Sequence, residues 1–332
     1  MVTVKEVARQ AQVSIGTVSN VLTNRRPVAD ETRKRVLQAV EELGYQPNLL
    51  ARSLIDRRSY TLAVVTGKLE YYGASRTLAG IESAGRLLGY SVLLHLIRSP
   101  GKADLPAVLS DLTSRRVDGV IWAVPELAPR VELSLPVIFL FMPPQPGRSV
   151  VTMDHHAGAV QAMQHLLDQG RRKIGLVNGP LSWWVARERQ DGWREALQLA
   201  GQPDDESLVV HGDWGAASGE QRFVELLERQ LDVDAVLVGN DQMALGVLRA
   251  AHVHGQRIPQ ELAVVGFDNT PESALYWPAL TTVDLRHAEI GRTAVEQLAG
   301  MIETQRQADH SIEPVTITLK PELIIRESSA TT

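Results

Sequence analysis

From Tyr60 onward the chain repeats one pattern: a short, almost continuous apolar run followed by a longer amphipathic stretch. The runs fall at residues 62–65, 92–96, 120–124, 137–141, 174–177, 235–238 and 262–265. A strand with one face in water alternates apolar and polar residues, whereas a strand buried on both faces does not. Buried strands separated by helices therefore predict parallel sheets covered on both sides, an α/β body. Periodicity alone leaves open whether this is one large doubly wound domain or two smaller lobes with a cleft between them.

The first 58 residues follow a different rule. They carry ten Lys and Arg against six Asp and Glu, while the rest of the chain carries 24 against 33. A basic head on an acidic body points to a polyanionic partner met by the head alone. Thr3-Val4-Lys5-Glu6 has the form of a capping box, so a helix begins near Val4 with Val4, Val7, Ala8 and Ala11 on one face. Ser14 is the next cap, opening a second helix over 15–22 whose inner side is Val18, Val21 and Leu22. Ser14, Ile15, Gly16, Thr17, Ser19 and Asn20 are left toward the outer surface and the helix start. A third helix over 30–43 sets Val36, Leu37, Val40 and Leu43 against the first two and stops at Gly44, with Pro47 beyond. Two short helices joined by a tight turn, with small polar groups at the start of the second, is the geometry that reads base edges in a major groove.

Val7-Ala8, Val13-Ser14, Thr17-Val18-Ser19, Val28, Glu31-Thr32-Arg33, Leu43-Gly44-Tyr45, Pro47-Asn48 and Ala51-Arg52-Ser53-Leu54 resemble the headpiece and hinge of the lac repressor family. The resemblance implies that Ser14, Ile15, Gly16, Thr17, Ser19 and Asn20 face the DNA. It also implies that Arg26 reaches a base edge or a phosphate, and that residues 48–55 form a hinge helix carrying Ala51 and Leu54 to the minor groove. Leu54 would wedge a base step open, a bend that costs on the order of 1–6 kcal/mol and is offset by the contacts it permits. Gly16 and Asn20 depart from the commonest family residues, which bears on the operator sequence.

The resemblance continues through Gly179-Pro180-Leu181-Ser182, Arg187, Arg189, Gly192-Trp193, Gly212-Asp213-Trp214, residues 240–246 and residues 264–268. It implies a small all-α helix-turn-helix headpiece and an α/β, periplasmic-binding-protein-like body of two lobes with parallel sheets, crossed three times by the chain. The expected division is a head at 1–47, a hinge at 48–58 and a body at 59–328. The body's first lobe covers about 60–153 and 287–312, its second about 154–286 and 313–328.

Arg189, Asn240 and Asp268 match cleft positions that hold ligand hydroxyls in the family, and Trp214 matches an aromatic wall. A guanidinium fork, a carboxylate and a ring face suit a sugar. Read without the family, Arg189 is a surface ion pair, Asn240 a helix cap, Trp214 core packing and Asp268 a turn residue. Tyr71 and Tyr72, after the first body strand, border the cleft, while Trp183 and Trp184 have no assigned place. Phe141 and Val185 stand where galactoside-binding relatives carry an Asp and a hydroxyl, which implies a more apolar pocket or a differently substituted sugar.

The chain has no P-loop, Gly-x-Ser-x-Gly elbow, His-Glu-x-x-His or Gly-x-Gly-x-x-Gly after its first strand, so no enzyme is expected. His155 and His156 read as surface histidines. No cofactor and no metal are called for, and Cys is absent altogether. With no export signal and no long apolar run, the expected location is cytoplasmic, without membrane contact. Six residues follow Arg326, too few for a tetramerising heptad tail. The sequence thus predicts a homodimeric repressor of carbohydrate genes on near-palindromic double-stranded operator DNA, released by a sugar effector, with half-sites about 34 Å apart.

Overall fold

Glu6 fixes the start of the chain's first helix, because its carboxylate accepts from both the backbone N–H of Thr3 (2.7 Å) and the Thr3 hydroxyl (2.9 Å). The computed structural model describes residues 2–23, 26–45, 58–67, 69–97, 105–129, 133–230, 232–307 and 313–330. Two units separate, Met1–Ser59 and Tyr60–Thr332.

In the first unit, α1 (Val4–Gln10), α2 (Ile15–Thr23) and α3 (Asp30–Glu42) enclose Val7, Ala8, Ala11, Val18, Val21, Val36 and Ala39. The turn after α1 passes through Gln12 at φ 54°, and the Val13 amide reaches back to the Ala8 carbonyl at 3.0 Å. The same closure ends α3, with Gly44 at φ 59° and the Tyr45 amide on the Val40 carbonyl at 3.0 Å. Both are left-handed caps that satisfy carbonyls the helix leaves open. Leu37 is not the core residue expected, being 48% exposed. The inner stripe runs Val36, Ala39, Val40 and Leu43, at helical spacing, and Leu37 lies off it by one residue's rotation.

In the second unit, one six-stranded sheet has the order β11-β5-β4-β3-β1-β2. Its members are β1 (Thr61–Thr66), β2 (Ser91–Leu96), β3 (Gly119–Ala123), β4 (Val137–Leu140), β5 (Ser149–Met153) and β11 (Thr316–Leu319), all parallel. Helices α4 (Tyr72–Leu87), α5 (Leu105–Ser114) and α10 (His287–Arg306) accompany it. The other sheet has the order β12-β10-β9-β8-β6-β7. It contains β6 (Ile174–Asn178), β7 (Val209–His211), β8 (Ala235–Val238), β9 (Ala263–Phe267), β10 (Thr281–Asp284) and β12 (Glu322–Ile324). Only its β10–β12 pair is antiparallel. Its helices are α6 (His155–Asp168), α7 (Trp184–Leu199), α8 (Ala216–Arg229) and α9 (Asp241–Val253).

The chain passes between the two lobes three times: from β5 to α6, from β10 to α10, and from β11 to β12. The last passage comes after Leu319 and not after residue 312, because Thr316–Leu319 first pairs with β5 as an edge strand. The 92–96 run is also corrected: it is an edge strand with Leu94 and Leu96 exposed, not a buried one. Strands β5, β7, β10, β11 and β12 escape the apolar-run criterion, being short or carrying Ser, Thr or His among their apolar residues.

The first lobe is tied together where α4 crosses α10 backbone to backbone. A Cβ on Gly80 would lie 2.1 Å from the Ala288 carbonyl oxygen, and one on Gly291 would lie 2.2 Å from that of Thr77. Gly300, farther along α10, has open space around it. Gly291→Ala is expected to cost about 1–3 kcal/mol by forcing the helices apart. Gly300→Ala is expected to add about 0.5–1 kcal/mol by removing a mid-helix glycine. Urea denaturation of the two variants should therefore move the midpoint in opposite directions.

Candidate functional site

The exposed end of α2 is the candidate nucleic-acid face. The Ser14 hydroxyl accepts from the Thr17 amide at 3.0 Å and lies 2.9 Å from the Thr17 hydroxyl, capping the helix as expected. Ser14, Ile15 and Gly16 are exposed, Thr17, Ser19 and Asn20 half-buried, and Val18 and Val21 turned into the core. No acidic residue stands in the first turn of α2, so nothing there repels a phosphate. Arg26 is exposed between α2 and α3. Ala51, Leu54 and the rest of the expected hinge through residue 57 lie outside the described residues.

The second candidate site is a cavity of about 750 Å³ between the two lobes. It opens at the carboxyl ends of strands from both sheets: Thr66, Ala123 and Phe141 from the first lobe, Pro180, Asn240 and Asp268 from the second. Strand ends supply the loops and helix starts that hold ligands in α/β folds. Arg189, Trp214, Asn240, Asp268, Tyr71 and Tyr72, far apart in sequence, all line it, as do Phe141 and Val185.

Arg189 projects from the buried face of α7 and is only 5% exposed. It donates to the Gly239 carbonyl and, at 3.3 Å, to His155 Nδ1, and its Nε is buried without a partner. The guanidinium carbon lies 4.6 Å from the Phe267 ring centre and 5.4 Å from that of Trp214. Burial lowers its pKa, while Asp268 and Asp241 act in the opposite direction. Arg189 is thus no surface ion pair. Burial, and then the Arg189 and His287 charges, hold His155 well below the usual imidazole range, so the ring is neutral. A guanidinium can only donate, so His155 accepts at Nδ1 and carries its proton on Nε2.

Asp268 follows β9 with φ 103° and lies 3.1 Å from Nε2 of His287, the first residue of α10. This pair joins the second lobe to the first. Below it, Asp241 accepts from the Thr282 hydroxyl (2.6 Å) and the Thr270 amide (2.8 Å). Burial, and next the charge of Asp268, push its carboxyl up to about 7.

Asn240 caps α9, accepting from the Met243 amide at 2.8 Å and donating to the Trp214 carbonyl at 3.0 Å. It is a helix cap and a lining residue at once. Trp214, at φ 76°, packs its ring over Gly179, where a Cβ would come within 2.1 Å of it. It is 5% exposed, with Nε1 buried and unpartnered. Trp183 meets the Trp214 ring at 5.9 Å and the Tyr71 ring at 5.8 Å. Trp184 stands edge-on to His155 at 5.8 Å, and Tyr72 edge-on to His287 at 6.0 Å.

His155 corrects the sequence reading: it is buried, at 2% exposure, and lines the cavity, whereas His156 pairs with Glu195 at 3.3 Å on the surface side. The signal was present, since His155 shares the helical stripe of Gly158, Ala159, Ala162, Met163 and Leu166, all buried. His287 and Asp241 were also missed. They sit at helix starts just beyond strand ends, where periodicity gives no warning.

A three-helix DNA-reading head joined in one chain to a two-lobed body with a ligand-sized cleft defines a ligand-responsive transcriptional regulator. Residues 3–48 match the model of the bacterial regulatory proteins of the lacI family, and residues 163–329 that of the periplasmic binding protein-like domain. The chain is 34% identical to the lactose operon repressor of Escherichia coli (strain K12), over 95% of this chain and 89% of that protein. It superposes on the lac repressor dimer bound to operator and the anti-inducer ONPF with a TM-score of 0.79 and 31% identity, covering 99% of each chain. On the CelR–cellobiose complex the TM-score is 0.74 with 32% identity, covering 99% of this chain and 100% of that one. The chain belongs to the lacI family of transcriptional regulators, and its relatives are regulators and not enzymes. Among the described residues no helix is long and apolar enough to cross a membrane.

The raised Asp241 pKa has a definite sign in stability. The folded protein keeps a proton that the unfolded chain, at 3.8, releases. That contribution is full below about pH 4 and is lost as pH rises through about 7. Asp241→Asn cannot ionise, so its stability relative to the parent should improve steadily between about pH 4 and pH 7.5. Denaturation midpoints across that range check this, and a constant difference contradicts it.

Proposed function

We propose that the protein represses carbohydrate genes, gripping a near-palindromic operator as a homodimer and releasing it when a neutral sugar occupies the cleft. The observation that carries the effector reading is the pairing of opposite charges in one cavity lined by rings. Arg187 and Arg189 stand with Asp213 and Asp268, beside Trp183 and Trp214. Balanced charge suits an uncharged ligand, and forked donors with carboxylate acceptors suit neighbouring hydroxyls. The ring faces suit the C–H side of a pyranose. The cellobiose held by one structural relative, CelR, supports a saccharide.

In this reading Ser14, Ile15, Gly16, Thr17, Ser19, Asn20 and Arg26 meet the operator, with Ala51 and Leu54 in the minor groove. Tyr71, Tyr72, Arg189, Trp214, Asn240 and Asp268 hold the effector. His155 holds the Arg189 guanidinium through Nδ1, and His287 orients the Asp268 carboxylate. Work on DNA assigns the protein to the cytoplasm.

Dimerisation is supported by apolar side chains that water would otherwise meet: Leu94 and Leu96 on the edge strand β2, and Leu275 and Trp277, the latter 92% exposed. Exposed apolar patches and open sheet edges mark association surfaces. Replacing Leu94 and Leu96 together by Asp is expected to halve the mass seen by sedimentation and to weaken operator binding at least tenfold, a loss typical of a removed 1.4 kcal/mol or more.

The reading is tested by operator binding at fixed salt, on DNA from upstream of the protein's own gene, with a panel of mono- and disaccharides. One sugar should release the DNA. Arg189→Lys should keep operator affinity within a few-fold and lose the response to that sugar, since an ammonium lacks the planar fork. A sugar that tightens binding would recast it as a corepressor, and indifference to every sugar would end the carbohydrate reading.

A further inference from the structure

The cavity is graded from a polar base to an aromatic mouth. At the base Arg189 is 5% exposed, His155 2% and His287 7%. Four polar atoms of residues that line the cavity are enclosed with no protein partner: Arg189 Nε, His155 Nε2, His287 Nδ1 and Trp214 Nε1. Buried donors and acceptors are ordinarily satisfied, so four left unpaired around one cavity mark its deep end as polar. Nearer the mouth stands Trp183, 37% exposed. Tyr71, from the first lobe, holds its ring nearly perpendicular (89°), and Trp214, from the second, holds it at 67°.

We propose that Trp183 is a specificity-determining residue that selects a two-ring glycoside. One sugar ring lies at the base against Arg189, His155 and Asp268, and a second ring lies at the mouth against the Trp183 indole. This rests on the sugar-effector reading above and extends it. The volume agrees. A cavity of about 750 Å³ lies within the roughly 300–1,000 Å³ that encloses drug-sized ligands, and leaves room beyond a single hexose for a second ring. An indole between a tyrosine of one lobe and a tryptophan of the other also places the second ring where the lobes meet. Trp183 caps α7 through an extended backbone and makes no side-chain hydrogen bond to its helix, so truncation leaves α7 its start.

The shared chemistry is a sugar ring bearing a ring-sized aglycone, supplied either by a second sugar or by an aryl group. Full-length parent, Trp183→Ala and Trp183→Phe are titrated by calorimetry with a hexose, its disaccharides and its aryl glycosides. Thermal unfolding and operator affinity serve as the check that the variants are intact. The parent should bind one two-ring ligand more tightly than the hexose, by about two- to tenfold for a well-stacked ring. Trp183→Ala should lose that advantage and Trp183→Phe should keep most of it. Preference for sugar over aryl aglycones, or the reverse, names the source of the second ring. Hexose binding as tight as that of any two-ring ligand, or an unchanged preference in Trp183→Ala, overturns the two-ring inference and leaves the sugar reading standing. Failure of every glycoside to bind the parent overturns both.

Discussion

A guanidinium buried at the base of the cleft without a hydrogen-bonded carboxylate is the constraint around which the body is organised. Removing a charge from water is expensive unless hydrogen bonds and opposing charge replace the solvent. For Arg189 those replacements come from separate stretches of chain: the Gly239 carbonyl before α9, the His155 ring at the start of α6, and the faces of Phe267 and Trp214. Asp268 and Asp241 supply opposing charge without direct contact. The strand ends and helix starts that carry these groups must come together for Arg189 to be tolerated, which makes the site a product of the completed lobe.

The same arrangement ties the site to the places where the chain passes between lobes. His155 follows the first passage and bonds Arg189, and His287 follows the second and meets Asp268. A guest that engages Arg189 and Asp268 therefore acts on the two residues at which one lobe is joined to the other. Cleft ligands can shift an equilibrium between lobe arrangements only by their differential affinity for them, and these two contacts supply a route to such a difference. Burial and the charge of Asp268 raise the Asp241 carboxyl to about 7, so near neutrality only part of its charge stands beneath Asp268.

Much of this was legible in the sequence where periodicity and residue chemistry agree. The capping pair Thr3–Glu6, the Ser14 cap and the Gly44 stop mark the three head helices, and seven apolar runs mark strands of the two sheets. The six expected cleft residues converge on one cavity because strand ends, where most of them lie, converge in this architecture. What periodicity misses is chemistry at helix starts. His155 looked like half of an exposed His pair until its helical stripe was considered, and His287 follows Arg286 at φ 48°, a local kink that no apolar pattern signals. Leu37 shows the converse error, a large apolar residue one position off the stripe and left in water. The edge strand β2 reads as buried because an apolar run does not reveal whether its cover lies within the chain or in a partner.

In the proposed mechanism, occupation of the cleft and grip on the operator are two ends of one equilibrium. Calorimetric measurement of effector affinity, with the protein free and with it saturated by operator DNA, tests this coupling without further assumption. Linkage requires the two affinities to differ by the same factor by which effector changes operator affinity, in the range of about 5- to 150-fold for ordinary allosteric coupling. Identical effector affinities in the two states would show that the cleft and the head act independently, and would contradict the mechanism.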